Sequence, residues 1–263
     1  MTSVVIPVLE DGAELRRQLP RLLALRGEKE LIVAGADRES GGDRDGFDFA
    51  RSLGAAVVRA PAGRGPQMNA GARRARGELL LFLHADCWLD EGAFVEAEEL
   101  LADRANGAVV FRQRIEGERL AYRLIERAAT FRAAILRTPY GDSGLLLRRV
   151  DFERTGGFPE IPLCEDLGFA RRLRALGRVA VARSRIHLSP RRWEEHGVLR
   201  TTLLNWWVAA SFLAGVSPRR LYRLYYGRDL SDRGPDRGRP MPDSASGAHG
   251  RAPSEGARAG GLQ

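Results

Sequence analysis

The segment from Leu79 to Asp86 combines a hydrophobic run with two polar side chains that could bind a metal ion. Its sequence is Leu-Leu-Leu-Phe-Leu-His-Ala-Asp. An apolar run of this length is typical of a strand buried on both faces, as in a parallel sheet. His84 and Asp86 follow at the carboxyl end, where ligands of such sheets bind, and their spacing predicts one shared face. A carboxylate and an imidazole there could hold a divalent cation, and the cation a diphosphate; a plain polar strand end is the alternative.

Two neighbouring acids, Glu165 and Asp166, form a second candidate site. They follow a Gly-Gly-Phe-Pro segment at 156–159 and lie at the start of a predicted helix over 166–176. The amino-terminal end of a helix stabilises negative charge, so a helix cap would explain the pair on its own. The residues alone therefore leave the role of this pair open.

A glycine loop at 63–65 leads into a predicted helix over 66–76 and has polar side chains at the junction. Backbone N–H groups at the start of a helix point outward and favour anions. Arg64 could bind a phosphate through its planar guanidinium group, and Gln67 or Asn69 could hydrogen-bond a nucleotide. A simple helix cap is the alternative.

The composition limits the classes of partner. The chain has 263 residues and a formal charge of +8, which by itself would suggest nucleic acid. However, Lys29 is the only lysine, which indicates a general bias towards arginine, and no nucleic-acid-binding motif is present. We therefore predict an anionic substrate or an anionic membrane surface. Two cysteines are too few for a disulfide framework and no secretory signal is visible, which favours the cytoplasm.

The predicted elements indicate one α/β domain followed by a tail. Strands over 2–8, 31–34, 55–59 and 79–83 alternate with helices, which is the pattern of a doubly wound parallel sheet. Residues 91–197 are less regular and include a predicted strand over 179–182. Residues 198–227 form predicted C-terminal helices, with a break at Ser217-Pro218, that complete the domain 1–227. Residues 228–263 contain almost no large apolar side chains, which predicts a disordered tail.

The C-terminal segment 203–216 is apolar apart from Asn205 and Ser211, and it contains Trp206 and Trp207. It is too short to span a bilayer, which needs about 20 residues. Three interpretations stay open: a core helix, a contact in a homodimer, or a helix that lies in a membrane interface. Tryptophans followed by arginines suit the interface, which would place the protein at the inner face of a membrane.

The order of these motifs resembles that of family 2 glycosyltransferases of the GT-A fold. More narrowly, it resembles the bacterial subgroup known as radical-SAM/selenodomain-associated glycosyltransferases. The match covers residues 2–226 and rests on Ser-Val-Val-Ile-Pro-Val-Leu-Glu (3–10), Gly-Arg-Gly-Pro-Gln-Met-Asn-Ala-Gly-Ala (63–72), Gly-Glu-Leu-Leu-Leu-Phe-Leu-His-Ala-Asp (77–86), Pro-Tyr-Gly-Asp (139–142), Gly-Gly-Phe-Pro-Glu-Ile-Pro-Leu-Cys-Glu-Asp (156–166) and Ser-Pro-Arg-Arg-Trp (189–193). Each segment alone is a weak signal, and their order makes the match specific. The resemblance implies a Rossmann-like GT-A fold with a nucleotide-binding half over 1–90 and an acceptor half over 91–197.

The resemblance implies a nucleoside diphosphate sugar as donor, usually a uridine or guanosine one. In the family the end of the first strand, here Pro7 to Glu10, lines the base pocket. Members commonly have Val-Asp-Gly-Gly-Ser after the second strand, whose Asp helps bind base or ribose. This chain has Val-Ala-Gly-Ala-Asp-Arg at 33–38 instead, so that Asp37 is shifted towards the C-terminus. Asp37 is either a displaced counterpart or an ordinary loop charge.

His84 and Asp86 stand where most GT-A enzymes have Asp-x-Asp, whose last Asp binds the Mn²⁺ or Mg²⁺ that bridges the donor's phosphates. The resemblance therefore makes Asp86 the predicted metal ligand, and the ion would stabilise charge on the leaving diphosphate. A neutral imidazole is a poor Mg²⁺ ligand, so His84 is expected to contact ribose or phosphate, or to support Asp86. His187 is left out of the metal set, because a solvated basic loop explains the arginines around it equally well.

By the same resemblance, Glu165 and Asp166 belong to the acceptor side. Asp166 is the predicted general base and Glu165 is expected to position it. Tyr140, Gly141 and Asp142 would line the acceptor or donor-sugar pocket, although the subgroup often has Gly-Asp-Gln where this chain has Ser143 after Asp142.

The predicted function is that of an inverting, metal-dependent glycosyltransferase acting on an unidentified hydroxyl acceptor. One alternative is a sugar-phosphate nucleotidyltransferase, but such enzymes usually carry a glycine-rich N-terminal loop with basic residues, which residues 9–12 lack. The other is a non-catalytic nucleotide-sugar-binding protein. The shifted Asp37 favours it weakly, and the retained Asp86 and Asp166 oppose it.

Overall fold

A computed structural model of the chain describes residues 1–8, 12–37 and 44–227. In its N-terminal half, strands and helices alternate, as the sequence predicts. The elements are β1 (Thr2–Val8), α1 (Gly12–Ala24), β2 (Lys29–Ala36), α2 (Arg44–Ser52), β3 (Ala56–Ala60), α3 (Arg64–Arg74) and β4 (Leu79–Phe82). Every residue of β1 is buried, which agrees with an uninterrupted strand covered on both faces.

The second half adds shorter strands and further helices. They are β5 (Cys87–Leu89), α4 (Ala93–Ala102), β6 (Asn106–Ile115), α5 (Leu120–Ala134), β7 (Leu145–Arg148), α6 (Arg149–Thr155), α7 (Glu165–Leu173), β8 (Arg178–Leu188), α8 (Arg191–His196), α9 (Val198–Leu213) and α10 (Pro218–Tyr226). A short 3₁₀ turn at Gly141–Ser143 precedes β7.

All eight strands form one sheet in the order β3-β2-β1-β4-β7-β6-β8-β5. The strands β3, β2, β1 and β4 are parallel, and so are β6 and β8. Strand β7 is antiparallel to both of its neighbours, and β5 is antiparallel to β8. The sheet is therefore mostly parallel, which confirms the predicted α/β fold class.

Strand direction brings distant segments to one edge of the sheet. The parallel pairs Pro7–Ala34 and Val5–Phe82 place the residues after β1, β2 and β4 at the same edge. Because β7 is antiparallel to β4, with Phe82 opposite Leu145, the residues before β7 also reach this edge. The antiparallel pair Cys87–Leu188 brings the end of β8 there as well.

Hydrophobic clusters cover both faces of the sheet. One includes the inward face of α1, with Leu15, Leu19 and Leu22 fully buried. The other packs α3 and α7 around Phe82, Phe152 and Phe158, among others. A third, smaller cluster joins α7 to α9 and α10 through residues such as Leu167, Val208 and Tyr225. This third cluster fixes the C-terminal helices over the sheet edge.

The structure corrects some predicted bounds in the second half. The predicted strand 179–182 extends through 178–188, because it pairs along the whole length of the ten-residue strand β6. The arginines around 191 belong to the short helix α8 rather than to an open loop. The predicted break at Ser217-Pro218 is confirmed, since α9 ends at Leu213 and α10 begins at Pro218. The predicted tail lies outside the described residues.

Candidate active site

Six predicted site residues line one cleft at this edge of the sheet. The cleft has a volume of about 230 Å³. Its lining includes Arg64, His84, Asp86, Asp142, Glu165 and Asp166. Residues from four separate motifs thus meet in one place, although the sequence separates them by up to about a hundred positions.

A turn after β4 presents His84 and Asp86 to the cleft. The Cys87 N–H donates a hydrogen bond to the His84 carbonyl, which closes the turn at 3.3 Å. The Gln18 side-chain amide, from α1, donates to the carbonyl oxygens of His84 and Cys87 at 2.6 Å each. Gln18 is buried, and it therefore anchors the backbone on both sides of Asp86.

The His84 ring is enclosed by the cleft. Burial, together with the nearby Arg64 cation, lowers the pKa of His84 to about 4, although the Asp86 carboxylate opposes this shift. His84 is therefore neutral near pH 7. Its ring lies against Gly141, where an added Cβ atom would be 2.6 Å from the ring nitrogen Nε2.

Glu165 is the buried member of the acidic pair. Burial and repulsion by Asp166 raise the pKa of Glu165 to about 7, and Arg64 partly offsets this rise. The Arg64 guanidinium group lies 4.0 Å from the Glu165 carboxylate, at the limit of an ion pair. Arg64 begins α3 and its side chain is 55% exposed, so it remains accessible to an anionic ligand.

Asp166 is oriented by two backbone N–H groups. Its Oδ2 accepts a hydrogen bond from Gly141 at 3.0 Å, and its Oδ1 accepts one from Leu167 at 2.7 Å. These bonds tie the carboxylate to both the turn before β7 and the first turn of α7. A carboxylate has further lone pairs, so Asp166 can still accept a proton from a bound hydroxyl group.

Asp142 contributes a fourth carboxyl group to the cleft, besides those of Asp86, Glu165 and Asp166. Its Oδ1 atom is buried and has no hydrogen-bond partner among the residues that the structure describes. Burial raises the pKa of Asp142 and the Asp166 carboxylate adds to the rise, whereas Arg132 opposes it. Arg132 also stacks on Tyr140, which lines the same cleft, at 3.4 Å from the ring centre.

Other residues predicted to bind the donor have different surroundings. Gln67 donates from its amide to the carbonyl oxygens of Val8 and Ala34, so it links the ends of β1 and β2. The amide of Asn69 both donates to and accepts from the backbone of Phe158, in the Gly-Gly-Phe-Pro segment. Both side chains are buried. Their visible role is to hold loops in place around the cleft.

The first two strands end where the resemblance expects the base pocket. Pro7 is buried near the carboxyl end of β1, and Asp37 is exposed directly after β2. The Asp37 N–H donates to the carbonyl oxygen of Ala60 at 2.7 Å, which fixes its backbone. Glu10 lies outside the described residues. Pro7 and Asp37 do not line the cleft itself.

His187, which was not predicted to bind metal, contacts two acids. Its Nδ1 lies 2.8 Å from Glu116 and its Nε2 lies 2.7 Å from Asp90. The ring also stacks on Trp88, with 5.4 Å between ring centres. These contacts hold the edge strand β5, which directly follows Asp86.

One side of the helix α9 is buried in the protein, and the other side is exposed to solvent. Val208 and Ala209 are buried beside the cleft, which confirms the core interpretation for that face. Trp206 and Trp207 are on the exposed face, so the dimer and membrane interpretations stay open there. Within the part of the chain that the structure describes, no helix has both the length and the hydrophobicity to cross a bilayer.

Two features of the site were not predicted from the sequence: the hydrogen bonds donated by Gln18, and the bond from the Gly141 N–H to Asp166. A signal for Gln18 exists, because this polar residue lies among Leu15, Leu19 and Leu22 on the face of α1 that should be apolar. The donor role of the Gly141 N–H has no sequence signal, because every residue other than proline carries the same group.

Comparison with known proteins identifies a sequence family that matches this chain. The sequence profile described as "Glycosyl transferase family 2" matches residues 3–158, which is more than half of the chain. No curated protein sequence matches the chain.

Solved structures share the fold at low sequence identity. Residues 1–349 of TarS from S. aureus align with a TM-score of 0.55 and 17% identity over 76% of this chain and 63% of that one. The complex of the same TarS fragment with UDP-GlcNAc aligns with a TM-score of 0.54 and 15% identity, over 72% of this chain and 58% of that one. The mannosyltransferase PcManGT from Pyrobaculum calidifontis, in complex with GDP-Man and Mn²⁺, aligns with a TM-score of 0.57 and 18% identity. This alignment covers 71% of this chain and 56% of that one. The chain thus spans less than two thirds of the length of these proteins.

The profile covers the strands β1 to β4, the glycine loop, the His84–Asp86 turn and the segment before α7. Arg64, His84, Asp86 and Asp142 of the cleft lie within the profile, which ends at residue 158, before Glu165 and Asp166. By its sequence, and in agreement with its fold, this chain belongs to glycosyl transferase family 2.

Proposed function

We propose that the protein is an inverting, metal-dependent glycosyltransferase that moves a sugar from a nucleoside diphosphate sugar to a hydroxyl acceptor. The observation that carries this proposal is the single cleft in which Arg64, His84 and Asp86 face the acidic pair Glu165 and Asp166. Membership of family 2 supports sugar transfer. The UDP-GlcNAc bound by TarS and the GDP-Man bound by PcManGT support a nucleoside diphosphate sugar as donor.

The donor atoms of the cleft fit a divalent ion that is held jointly by the protein and the substrate. Mg²⁺ and similar ions often bind through one or two carboxylates plus substrate phosphates. Among the described residues, no group of three or more His, Cys, Asp and Glu side chains could hold an ion alone. Asp86 would hold the ion, and the unpartnered Oδ1 of Asp142 offers a further oxygen. When bound, Mn²⁺ or Mg²⁺ supplies Lewis-acid stabilisation of the diphosphate charge.

The basic and neutral groups around Asp86 would bind the rest of the donor's diphosphate. Arg64 is charged and partly exposed, so it can pair with phosphate oxygens. His84 is neutral near pH 7 because burial depresses its pKa. A neutral imidazole can donate one hydrogen bond to a phosphate or ribose oxygen and adds no charge that would repel the ion.

Asp166 would act as the general base. Its carboxylate accepts the proton of the acceptor hydroxyl while the hydroxyl oxygen attacks the anomeric carbon of the sugar. The bond from that carbon to the diphosphate oxygen breaks, and the diphosphate keeps the electron pair. A single displacement inverts the anomeric configuration. Glu165, buried behind Asp166, would position it.

The nucleoside would occupy the ends of β1 and β2, outside the cleft that holds the reacting groups. Pro7, Glu10 and Asp37 are the proposed contacts with base and ribose. Gln67 and Asn69 would support this pocket indirectly, because their amides hold the backbone of β1, β2 and the 156–159 segment. Two buried free thiols, Cys87 and Cys164, suit the reducing cytoplasm.

The finer classification rests on the His-Ala-Asp form of the motif. Most GT-A enzymes have Asp-x-Asp there, and the variant supports membership of the bacterial radical-SAM/selenodomain-associated subgroup. This part of the proposal concerns relationship only, and the reaction proposed above does not depend on it.

A screen of donors tests the proposal. Thermal unfolding would be measured with uridine and guanosine diphosphate sugars, with and without Mn²⁺, since a ligand of the folded state raises its stability. We expect at least one donor to raise the melting temperature only with the metal, and to release nucleoside diphosphate slowly by hydrolysis. Stabilisation by a nucleoside triphosphate and sugar phosphate instead would favour a nucleotidyltransferase, and donor binding without any turnover would favour a binding protein.

A further inference from the structure

The helix α5 has an apolar stripe that faces away from the protein. Leu120, Leu124, Phe131 and Ile135 are 59% to 76% exposed. Their spacings of four, seven and four residues place them on one side of the helix. The opposite side is buried through Tyr122, Ala129 and Ala133. Four large apolar side chains in one exposed row are unusual for the surface of a monomer.

The helix α9 has a similar exposed row. Leu199, Leu203, Trp206 and Leu213 are at least half exposed, and Trp207 is 48% exposed. These positions also share one side of the helix, opposite the buried Thr201 and Val208. The two helices therefore present the same kind of surface.

Both helices flank the mouth of the active-site cleft. At one end of α5, Tyr122 contacts Trp193 of α8, with 6.2 Å between ring centres. At the other end, Arg132 stacks on Tyr140. Trp193 and Tyr140 line the cleft, and so do Val208 and Ala209 of α9. The buried sides of α5 and α9 thus contact the lining of the cleft, and their exposed rows face away from it.

Positive charge surrounds both apolar rows. Residues 119–137 contain five arginines and one acid, Glu126, while residues 197–227 contain four arginines and no acid. The combined formal charge of these two segments equals the +8 of the whole chain. Arg119, Arg127, Arg219 and Arg220 are exposed. A long arginine side chain can lie along an apolar surface and keep its charge in the headgroup layer.

We propose that the apolar rows of α5 and α9, with the arginines beside them, bind the surface of an anionic lipid bilayer. Leucine, phenylalanine and tryptophan on one face with arginine next to them match a helix that lies in a membrane interface. Pairing with a second copy fits less well, because a two-fold contact would bring two strongly positive surfaces together. The bilayer would supply both the apolar layer and the negative charge.

Sedimentation with lipid vesicles tests this proposal without any donor or acceptor. The full chain would be mixed with vesicles of phosphatidylcholine alone, or of equal parts of phosphatidylcholine and phosphatidylglycerol. We expect binding to the anionic vesicles to be stronger by about tenfold or more, and to weaken with added salt. Tryptophan emission should shift to shorter wavelength when Trp206 and Trp207 enter the interface.

Two double variants separate this surface from general hydrophobicity. Phe131→Ser with Trp206→Ser removes one exposed apolar residue from each row and should lower vesicle binding about tenfold. Val95→Ser with Val150→Ser changes two exposed valines on α4 and α6 and should leave binding unchanged. Thermal unfolding confirms that both proteins are folded.

Several results would overturn the proposal. Equal binding to neutral and anionic vesicles, or equal binding by the Phe131/Trp206 variant and the wild type, would do so. The proposal would also be overturned if the wild type were a dimer that does not bind vesicles and the Phe131/Trp206 variant were a monomer. The apolar rows would then form the contact between two copies of the chain. Since donor binding is measured separately, failure of the glycosyltransferase proposal would not alter these outcomes.

Discussion

The backbone N–H of Gly141 donates a hydrogen bond to Oδ2 of Asp166, with 3.0 Å between the two atoms. Gly141 also lies against the ring of His84, with no room for a side chain between them. One glycine therefore touches both the proposed donor side and the proposed acceptor side of the cleft. Its position explains how two motifs that are eighty residues apart in sequence keep a fixed separation in the fold.

Replacing Asp166 by asparagine should abolish general-base catalysis with little change in shape. The single amide oxygen can still accept one of the two backbone N–H bonds, from Gly141 or from Leu167, but the amide cannot take a proton at neutral pH. We expect the transfer rate to fall about 100-fold to 10,000-fold, while the dissociation constant of the donor stays nearly the same. Asp48→Asn, on the exposed surface of α2, is the matched control. A near-normal rate in Asp166→Asn would remove Asp166 from the catalytic role.

Adding a methyl group at Gly141 should displace His84. In Gly141→Ala the new Cβ would be 2.6 Å from Nε2 of His84, so the ring or the turn must move. A misplacement of about 1 Å can cost about 100-fold in rate, and we expect a loss of this order. In a His84→Ala background the same methyl group has space. Gly141→Ala should therefore destabilise the wild type more than it destabilises His84→Ala, as measured by thermal unfolding. Equal effects in both backgrounds would show that the two residues do not compete for space.

Glu165→Gln should stabilise the protein in a pH-dependent way. Burial and the Asp166 carboxylate raise the pKa of Glu165 to about 7 in the folded protein. In the unfolded chain the pKa of this carboxyl group has its ordinary, lower value. Between these two pKa values, Glu165 is therefore protonated in the folded protein and ionised in the unfolded chain. The wild type consequently loses stability as the pH rises from the unfolded value towards about 7. Glutamine mimics the protonated acid and avoids this loss.

The difference in melting temperature between Glu165→Gln and the wild type should therefore be larger at pH 8 than at pH 4.5. Glu99→Gln, at an exposed position on α4, controls for the removal of one negative charge. A difference that stays constant over this range would mean that Glu165 is ionised throughout, and the proposed neutral form would be wrong.

Gln18→Met should weaken donor binding although Gln18 is not expected to touch the donor. The substitution keeps the volume but leaves the carbonyl oxygens of His84 and Cys87 without their side-chain donor. Loss of such bonds costs about 1–3 kcal/mol, and the turn that carries Asp86 should loosen. Asn106→Leu is the matched control. It removes a buried side-chain amide at the start of β6 that donates to the carbonyl oxygen of Leu100. Both variants should lose stability, but only Gln18→Met should raise the donor dissociation constant in the presence of Mn²⁺. Equal dissociation constants would limit Gln18 to a structural role.

The sequence was sufficient to predict the first four strands, the sheet edge at which they end, and Arg64, His84 and the four acidic residues of the cleft. Hydrophobic runs define β1 and β4, and the direction of parallel strands then determines where His84 and Asp86 lie. The edge strand β5 escaped detection because it has only three residues, Cys87–Leu89, and is defined by its pairing with β8. Short elements of this kind depend on partners that are remote in sequence.

The roles of Gln67 and Asn69 show what sequence patterns leave open. Both amides follow a glycine loop, and the same residue types there can bind a nucleotide or hold the backbone. In the fold their hydrogen-bonding groups are directed to Val8, Ala34 and Phe158. The choice depends on side-chain direction, which the sequence does not encode locally. The contact of either amide with a donor therefore stays a prediction.

The most direct test of the proposed site is calorimetric titration of the donor into the wild type and Asp86→Ala, each with and without Mn²⁺. The donor would be the nucleoside diphosphate sugar that stabilises the wild type. If Asp86 and the diphosphate hold the ion together, Mn²⁺ should tighten donor binding to the wild type by about tenfold or more and should have little effect on Asp86→Ala. An Asp86→Ala protein that keeps the full metal-dependent gain in affinity would contradict the account.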